Sequence, residues 1–337
     1  MSPPAASSSH GARPGLSAGP RPPASPVPRT TGTPLSADAG SRRLSRPRLP
    51  IPLLVATFCV LWSSAFAGAK LALADCPPLL LLTLRFLLAG GLMLGLARLT
   101  EGRIALTRRD LRALVLIGTL NNALYLGLSF VALSFASSAY SAVLSSCLPL
   151  LVALAAGPVL GERLTPGRWL GIGLGLAGVA IVLRSRLAGA HESLEATLLI
   201  ALAVTSLAAG TVAYKALKPQ GGIWTGTAVQ FLTGGVLLMP LALATEHVGD
   251  IHLTTRFLLG LGYLVFAVSV GGYWLWFYLL TRSTATAASS LHFLMPPLGL
   301  LFGWLLRGEA VPAMDIVGIV PIALGIWLVT RAPPPAR

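Results

Sequence analysis

Charge is scarce in this chain. Only 11% of its 337 residues are charged and eleven are acidic, against roughly a quarter charged in an ordinary soluble domain. With 54% hydrophobic residues and a mean hydropathy of +0.77, a soluble globular domain is excluded, and the sequence reads as an all-α integral membrane protein. The acidic residues Asp38, Asp75, Glu101, Asp110, Glu162, Glu192, Glu195, Glu246, Asp250, Glu309 and Asp315 all fall in a tail, in connections or at span ends, so none has to lie deep in hydrocarbon. Cysteine is nearly absent too. Cys59, Cys76 and Cys147 are odd in number and far apart, without CxxC or Cys/His spacing, which excludes a disulfide framework and argues for no metal and no cofactor. No HExxH occurs, no GxSxG lies in an apolar run (GLSAG at 15–19 sits in the Pro-rich N-terminal stretch), and His292 is the only histidine inside an apolar run. An intramembrane enzyme, which needs a nucleophile with its base or clustered ligands, is therefore the weaker alternative, and no catalytic residue is assigned.

The formal charge of +14 suggests nucleic acid at first. Seven arginines lie in the first fifty residues, however, and most others flank apolar runs, where membrane topology places them. The expected partners are a lipid bilayer and a small-molecule substrate, with no nucleic acid; a homodimer is left open.

Residues 1–50 are rich in Pro, Ser and Arg, eleven of them proline, and cannot bury enough apolar surface to order themselves. A disordered cytoplasmic tail is expected there, and another short one at 332–337. Between them, apolar runs long enough to span a bilayer are placed near 51–74, 77–97, 111–132, 137–160, 168–184, 195–217, 222–244, 256–280, 285–306 and 313–331. With the N-terminus inside, sixteen Lys or Arg residues from Arg42 onward fall on the inner side and five (Lys70, Arg184, Arg186, Arg256, Arg307) on the outer. Both termini are then cytoplasmic, in a plasma or inner membrane.

The chain also repeats itself. At an offset of 147, Pro149, Gly161, Glu162, Gly171, Gly178 and Arg184 meet Pro296, Gly308, Glu309, Gly318, Gly325 and Arg331 without a gap. Earlier in each half the offset is 145, where Lys70, Phe86 and Gly90 meet Lys215, Phe231 and Gly235, and Arg85 meets Gln230. Five spans per half, an odd number, insert the second copy upside down, the construction of many secondary transporters. The expected domains are repeats at 51–184 and 195–331, making ten transmembrane helices in two inverted five-helix repeats.

The motifs WSSAFAGAK (62–70), the RF pair with small residues behind it (85–91), LPLLVALAAGPVLGERLTPGRWLGIGLGLAG (148–178) and MPPLGLLFGWLLRGEAVPAMDIVGIVPIALG (295–325) resemble the EamA-type branch of the drug/metabolite transporter superfamily. Each is weak singly; as a duplicated set they are specific. The second copy departs at 195–217, where the tryptophan and much of the WSSAF pattern are missing. The resemblance implies two five-helix repeats and transport of small metabolites, amino acids or drugs, and it does not imply a substrate.

Arg85 is the most conspicuous residue, a guanidinium in the middle of LLLLTLRFLLAGGLML (79–94). It cannot be neutralised and lies too deep to reach the interface easily. A cavity cation for an anionic or zwitterionic solute is the favoured reading over structural glue, because Gln230 in the other repeat shows that the fold does not demand a cation there. Further cavity candidates are Trp62, Asn121, Tyr125, Tyr140, Gln230, Tyr273 and His292, each weighed against helix packing or interhelical hydrogen bonding. Glu162 and Glu309 read as helix caps or partners of nearby arginines. GLGLAG (173–178) satisfies G-x-G-x-x-G, but it lies within an apolar span with no preceding strand, so close helix packing is its expected use. The functional expectation is a secondary transporter, an exporter of a small organic metabolite such as an amino acid. A nucleotide-sugar or sugar-phosphate carrier and a non-transporting membrane scaffold are the alternatives.

Overall fold

The computed structural model describes residues 51–102, 106–136, 141, 144–187, 193–307 and 313–331. Both expected tails, Tyr140 and Glu309 lie outside these residues. Among the described residues the regular structure is entirely helical: α1 (Ile51–Leu73), α2 (Pro78–Thr100), α3 (108–135), α4 (Leu148–Leu160), α5 (Pro166–Leu187), α6 (Leu194–Leu217), α7 (Ile223–Thr245), α8 (255–282), α9 (285–307) and α10 (Ala313–Arg331). Six of these, α1, α2, α3, α6, α7 and α8, are long and apolar enough to cross a membrane. Shorter apolar helices lie in α4, α5 and α10.

The local signals are plain at several ends. Pro77 precedes α2 and Pro78 opens it, where a missing N–H costs nothing. Thr107 caps α3 by accepting from the Asp110 N–H, and Thr254 caps α8 by accepting from the Phe257 N–H. Both helices then widen into π-helix, at Thr119–Leu126 in α3 and Tyr263–Gly272 in α8. These segments start 144 residues apart, so the repeat carries an irregularity as well as a pattern. α9 tightens midway into a 3-10 turn at Ser290–Leu294.

Corresponding helices of the two halves pack on each other. In the α2/α7 pair the rings of Phe86 and Phe231 meet edge to face at 5.3 Å. A Cβ added to Gly90 would strike Leu232, and one added to Gly235 would strike Leu87. Each contact maps onto the other when 145 is added to the first-half residue, and residues rise along one helix as they fall along the other. α2 and α7 are therefore antiparallel about a local two-fold relation. The α5/α10 pair obeys the same rule at offset 147: Gly171 lies against Gly325 and Gly178 against Gly318, close enough that a Cβ would sit 2.8 Å and 2.6 Å from a carbonyl oxygen of the partner helix. Gly173 of the same motif has nothing within 4 Å. GLGLAG thus serves helix packing.

Carboxylates complete the symmetry. Glu246, just past α7, accepts from the Leu79 and Leu80 N–H groups at the start of α2, at 2.9 and 2.7 Å. Glu101, just past α2, accepts from the Trp224 and Thr225 N–H groups at the start of α7, at 2.9 and 3.1 Å. All three pairs, Glu101/Glu246, Leu79/Trp224 and Leu80/Thr225, are 145 apart. Anions at helix N-termini satisfy free N–H groups and the helix dipole together, so each helix caps its counterpart. Glu162 does the same for α9, accepting from the Ala285 N–H at 2.9 Å and the Thr286 hydroxyl at 2.8 Å.

Candidate functional site

The side chain of Arg85 projects from the middle of α2 into the bundle and is 2% exposed. Its Nε donates to the Ser269 hydroxyl at 2.9 Å, and its guanidinium carbon lies 5.9 Å from the ring centres of both Phe86 and Phe130. The ring faces contribute cation–π attraction. No carboxylate among the described residues pairs with it, although a buried guanidinium ordinarily needs a counter-charge.

Arg85 lines a cavity of about 30 Å³ together with Trp62, Tyr125, Ser129, Phe130 and Tyr273, room for a water or two. The π-helical stretches shape it. Tyr125 and Leu126 belong to the widened turns of α3, and Val268 belongs to those of α8. Ser269, in the same segment of α8, is the partner of Arg85. π-helical insertions re-aim side chains and recur at functional sites. The Tyr273 hydroxyl is buried without a partner among the described residues, while its ring rests on Trp62 at 5.0 Å and on Phe231 at 4.7 Å. Tyr125 lies beside Trp62 and Ser145.

His292 stands behind Trp62. Its Nδ1 lies 3.2 Å from the Ser289 carbonyl, an oxygen that can only accept, so the neutral ring carries its proton on Nδ1 and presents Nε2 as an acceptor. The imidazole is 1% exposed and ringed by Phe58, Trp62 and Trp276 at 6.1, 5.7 and 5.1 Å between centroids.

The other candidates lie elsewhere. Asn121 presses against Gly210 of α6, where an added Cβ would sit 1.9 Å from its Oδ1. Gln230 donates to the Gly226 carbonyl at 3.2 Å and borders a separate crevice of about 10 Å³ with Tyr214, Gln220 and Phe277. Although Gln230 is the repeat counterpart of Arg85, the two do not share a pocket. Trp274 and Tyr278 stack at 5.1 Å, with Arg282 4.4 Å above Tyr278, an interfacial aromatic arrangement. Of the residues expected from sequence, Arg85, Trp62, Tyr125 and Tyr273 share one neighbourhood; Ser129, Phe130 and Ser269 join them unanticipated. A lone serine in the apolar run FAVSVGG was the one available signal for Ser269.

A bundle of apolar helices, built twice over and holding among aromatic rings a buried cation with no carboxylate partner among the described residues, belongs to the class of membrane transporters. The chain is a member of the EamA-like transporter family, whose model matches residues 49–184 and again 194–331. It is 28% identical to an uncharacterized transporter, YvbV, of Bacillus subtilis, over 84% of this chain and 92% of that one. A protein of Salmonella typhimurium named a "probable amino-acid metabolite efflux pump" is 28% identical over 80% of this chain and 91% of its own. An uncharacterized inner membrane transporter of Escherichia coli, YedA, is 29% identical over 85% and 92%. Among solved structures, one crystal structure superposes with a TM-score of 0.68 at 22% identity, covering 82% of this chain and 95% of that one; it shares the fold.

Proposed function

We propose that this chain exports a small anionic or zwitterionic metabolite, of the amino-acid kind, from the cytoplasm across an inner membrane. Ten spans form two inverted five-helix repeats at 51–184 and 195–331, both termini face the cytoplasm, and access alternates as the repeats rock about the Arg85 cavity. The antiparallel packing of α2 on α7 and α5 on α10, between counterpart helices, supports the inversion. The observation that carries the substrate class is Arg85 itself, buried and without a carboxylate partner among the described residues. A charge at the centre of a bilayer costs at least ~2.5 kcal/mol, and a substrate carboxylate offsets that cost while the cavity is occupied. The relative named as an amino-acid metabolite efflux pump is consistent with that chemistry. The small size of the cavity fits a closed state between the two openings.

A sugar-phosphate carrier would bring several cations together. Among the described residues lining the cavity Arg85 is the only cation, and Lys215 donates instead to the Ser283 carbonyl. Against an intramembrane enzyme stand the transporter family itself and relatives named as transporters. The test is efflux of labelled L-amino acids from vesicles carrying the protein or Arg85→Gln, which copies the counterpart residue Gln230. Loss of one charge-assisted pairing, ~1.5–3 kcal/mol, lowers transport about 10- to 100-fold while the variant still purifies as a single folded species. Equal transport by the folded variant would overturn the reading.

A further inference from the structure

Nothing in the Arg85 cavity explains why His292 and its aromatic surroundings are arranged as they are. A lone buried histidine commonly serves as a structural donor, and His292 does so through Nδ1 to Ser289. That leaves Nε2, buried and without a hydrogen-bond partner among the described residues. Buried acceptors are rarely left in this condition. Packing alone would be served as well by phenylalanine.

The surroundings restrict what could satisfy Nε2. Phe58, Trp62 and Trp276 stand at 63°, 75° and 84° to the imidazole plane. Phe58 lies beside Trp62 at 5.1 Å and stacks on Trp276 at 5.6 Å, which makes a continuous aromatic wall. No carboxylate pairs with the imidazole among the described residues. Aromatic faces attract cations, and a neutral imidazole nitrogen accepts a hydrogen bond. Ring faces and a bare acceptor together suit an ammonium group, which has both the positive charge and the N–H to give.

Trp62 joins this cage to the anion site. It lines the cavity with Arg85, and it also touches His292, at 5.7 Å between ring centroids. A turn of this one indole would join the cavity and the cage, with a guanidinium on one wall and Nε2 on another. We infer that His292, with Phe58, Trp62 and Trp276, forms an ammonium subsite, so that the transporter selects zwitterions carrying both a carboxylate and a free amino group. This rests on the reading of Arg85 as the carboxylate site and narrows it from anionic or zwitterionic metabolites of the amino-acid kind to those with an unblocked nitrogen.

The test is competition against uptake of a labelled mixture of the common L-amino acids into proteoliposomes of the full-length protein. Competitors are the unlabelled mixture, its N-acetyl derivatives, which keep the carboxylate and lose the ammonium, and its carboxamides, which do the reverse. In the wild type the N-acetyl derivatives compete at least about tenfold more weakly than the free amino acids. In His292→Phe, which keeps a ring and removes the acceptor, that ratio falls toward one. His292→Gln restores an acceptor oxygen, recovers most of the ratio and guards against a packing defect in the phenylalanine variant. Equal competition by N-acetyl and free amino acids in the wild type, together with loss of uptake in Arg85→Gln, would refute the ammonium subsite and leave the anion site standing. A ratio unchanged in both His292 variants would also refute it. Absence of amino-acid uptake by the wild type would overturn the underlying reading and this inference with it.

Discussion

Arg85 and Asp75 occupy neighbouring segments and meet opposite solutions to the same problem. The cation is held by one hydroxyl and two rings, whereas the carboxylate, in the connection between α1 and α2, is surrounded by donors. Arg256 gives it hydrogen bonds of 2.8 and 2.6 Å, and the Thr254 hydroxyl gives another of 2.7 Å. Hydrogen bonding to Arg256 first, then to Thr254, lowers its pKa to about 2, from about 3.9 for a free aspartate. The folded value lies below the unfolded one, so this latch contributes fully above about pH 4 and is lost as pH falls toward about 2. Arg256 is 52% exposed, which keeps the contribution small and sensitive to salt. The expected outcome is a melting temperature of detergent-solubilised Asp75→Asn slightly below wild type near neutral pH, a gap that narrows between pH 4 and 2 and shrinks in high salt. Parallel melting curves at all pH values would contradict it. The conspicuousness of Arg85 is legible in the linear chain because one charge interrupts sixteen residues. The partner of Asp75 is not, since Arg256 is 181 residues away and only the folded chain brings them together.

At the scale of helices, the glycines discriminate sharply between positions that look alike in sequence. Gly171 and Gly173 lie two residues apart in the same helix, yet only Gly171 faces α10 at backbone distance. Gly171→Ala would push a methyl to 2.8 Å from the Gly325 oxygen and 2.9 Å from Leu328, a clash against backbone that side-chain rotation cannot relieve. Overpacking of this kind costs about 1–3 kcal/mol. Gly173→Ala meets nothing and gains helix propensity of up to about 1 kcal/mol. Thermal unfolding should therefore shift downward for the first and stay level or rise for the second; two equal shifts would mean that the α5/α10 crossing is looser than these distances require. The offset of 147 makes the glycines visible as a repeated pattern in the linear chain. It does not show which of them face a neighbour, because several share apolar surroundings in that pattern. The π-helical stretches of α3 and α8 are invisible for a related reason. Their sequences, TLNNALYL and YLVFAVSVGG, carry no signal that separates them from ordinary apolar helix, and the widening is seen only in the backbone hydrogen bonds.

For the molecule as a whole, the reciprocal caps matter more than any single contact, because they tie the two ends of the α2/α7 pair. Each helix has 23 residues and spans about 35 Å at 1.5 Å per residue, more than a hydrocarbon core of about 30 Å. Glu101 holds one end and Glu246 the other, so in an inverted arrangement these carboxylates lie on opposite faces of the membrane. With both termini cytoplasmic, as proposed above, the connection bearing Gln220 is expected inside and the one bearing Gly249 outside, which can be tested without knowing the substrate. Gln220 is exposed and fastened only through its backbone N–H to Asp110 at 3.0 Å and its own side-chain amide to Lys218; Gly249 is exposed with nothing within 4 Å of an added Cβ. Cysteine at either position leaves the backbone contacts in place. The native Cys59 and Cys76 are buried and Cys147 half-buried, so the wild-type chain supplies a low background. In intact cells a membrane-impermeant maleimide should label Gly249→Cys and spare Gln220→Cys, and permeabilisation should make both reactive. Labelling of Gln220→Cys alone before permeabilisation would turn the whole bundle over, and the direction of export with it. Labelling of both in intact cells would break the inverted repeat, since an odd number of spans must separate the two positions from each other if α7 crosses the membrane once between them.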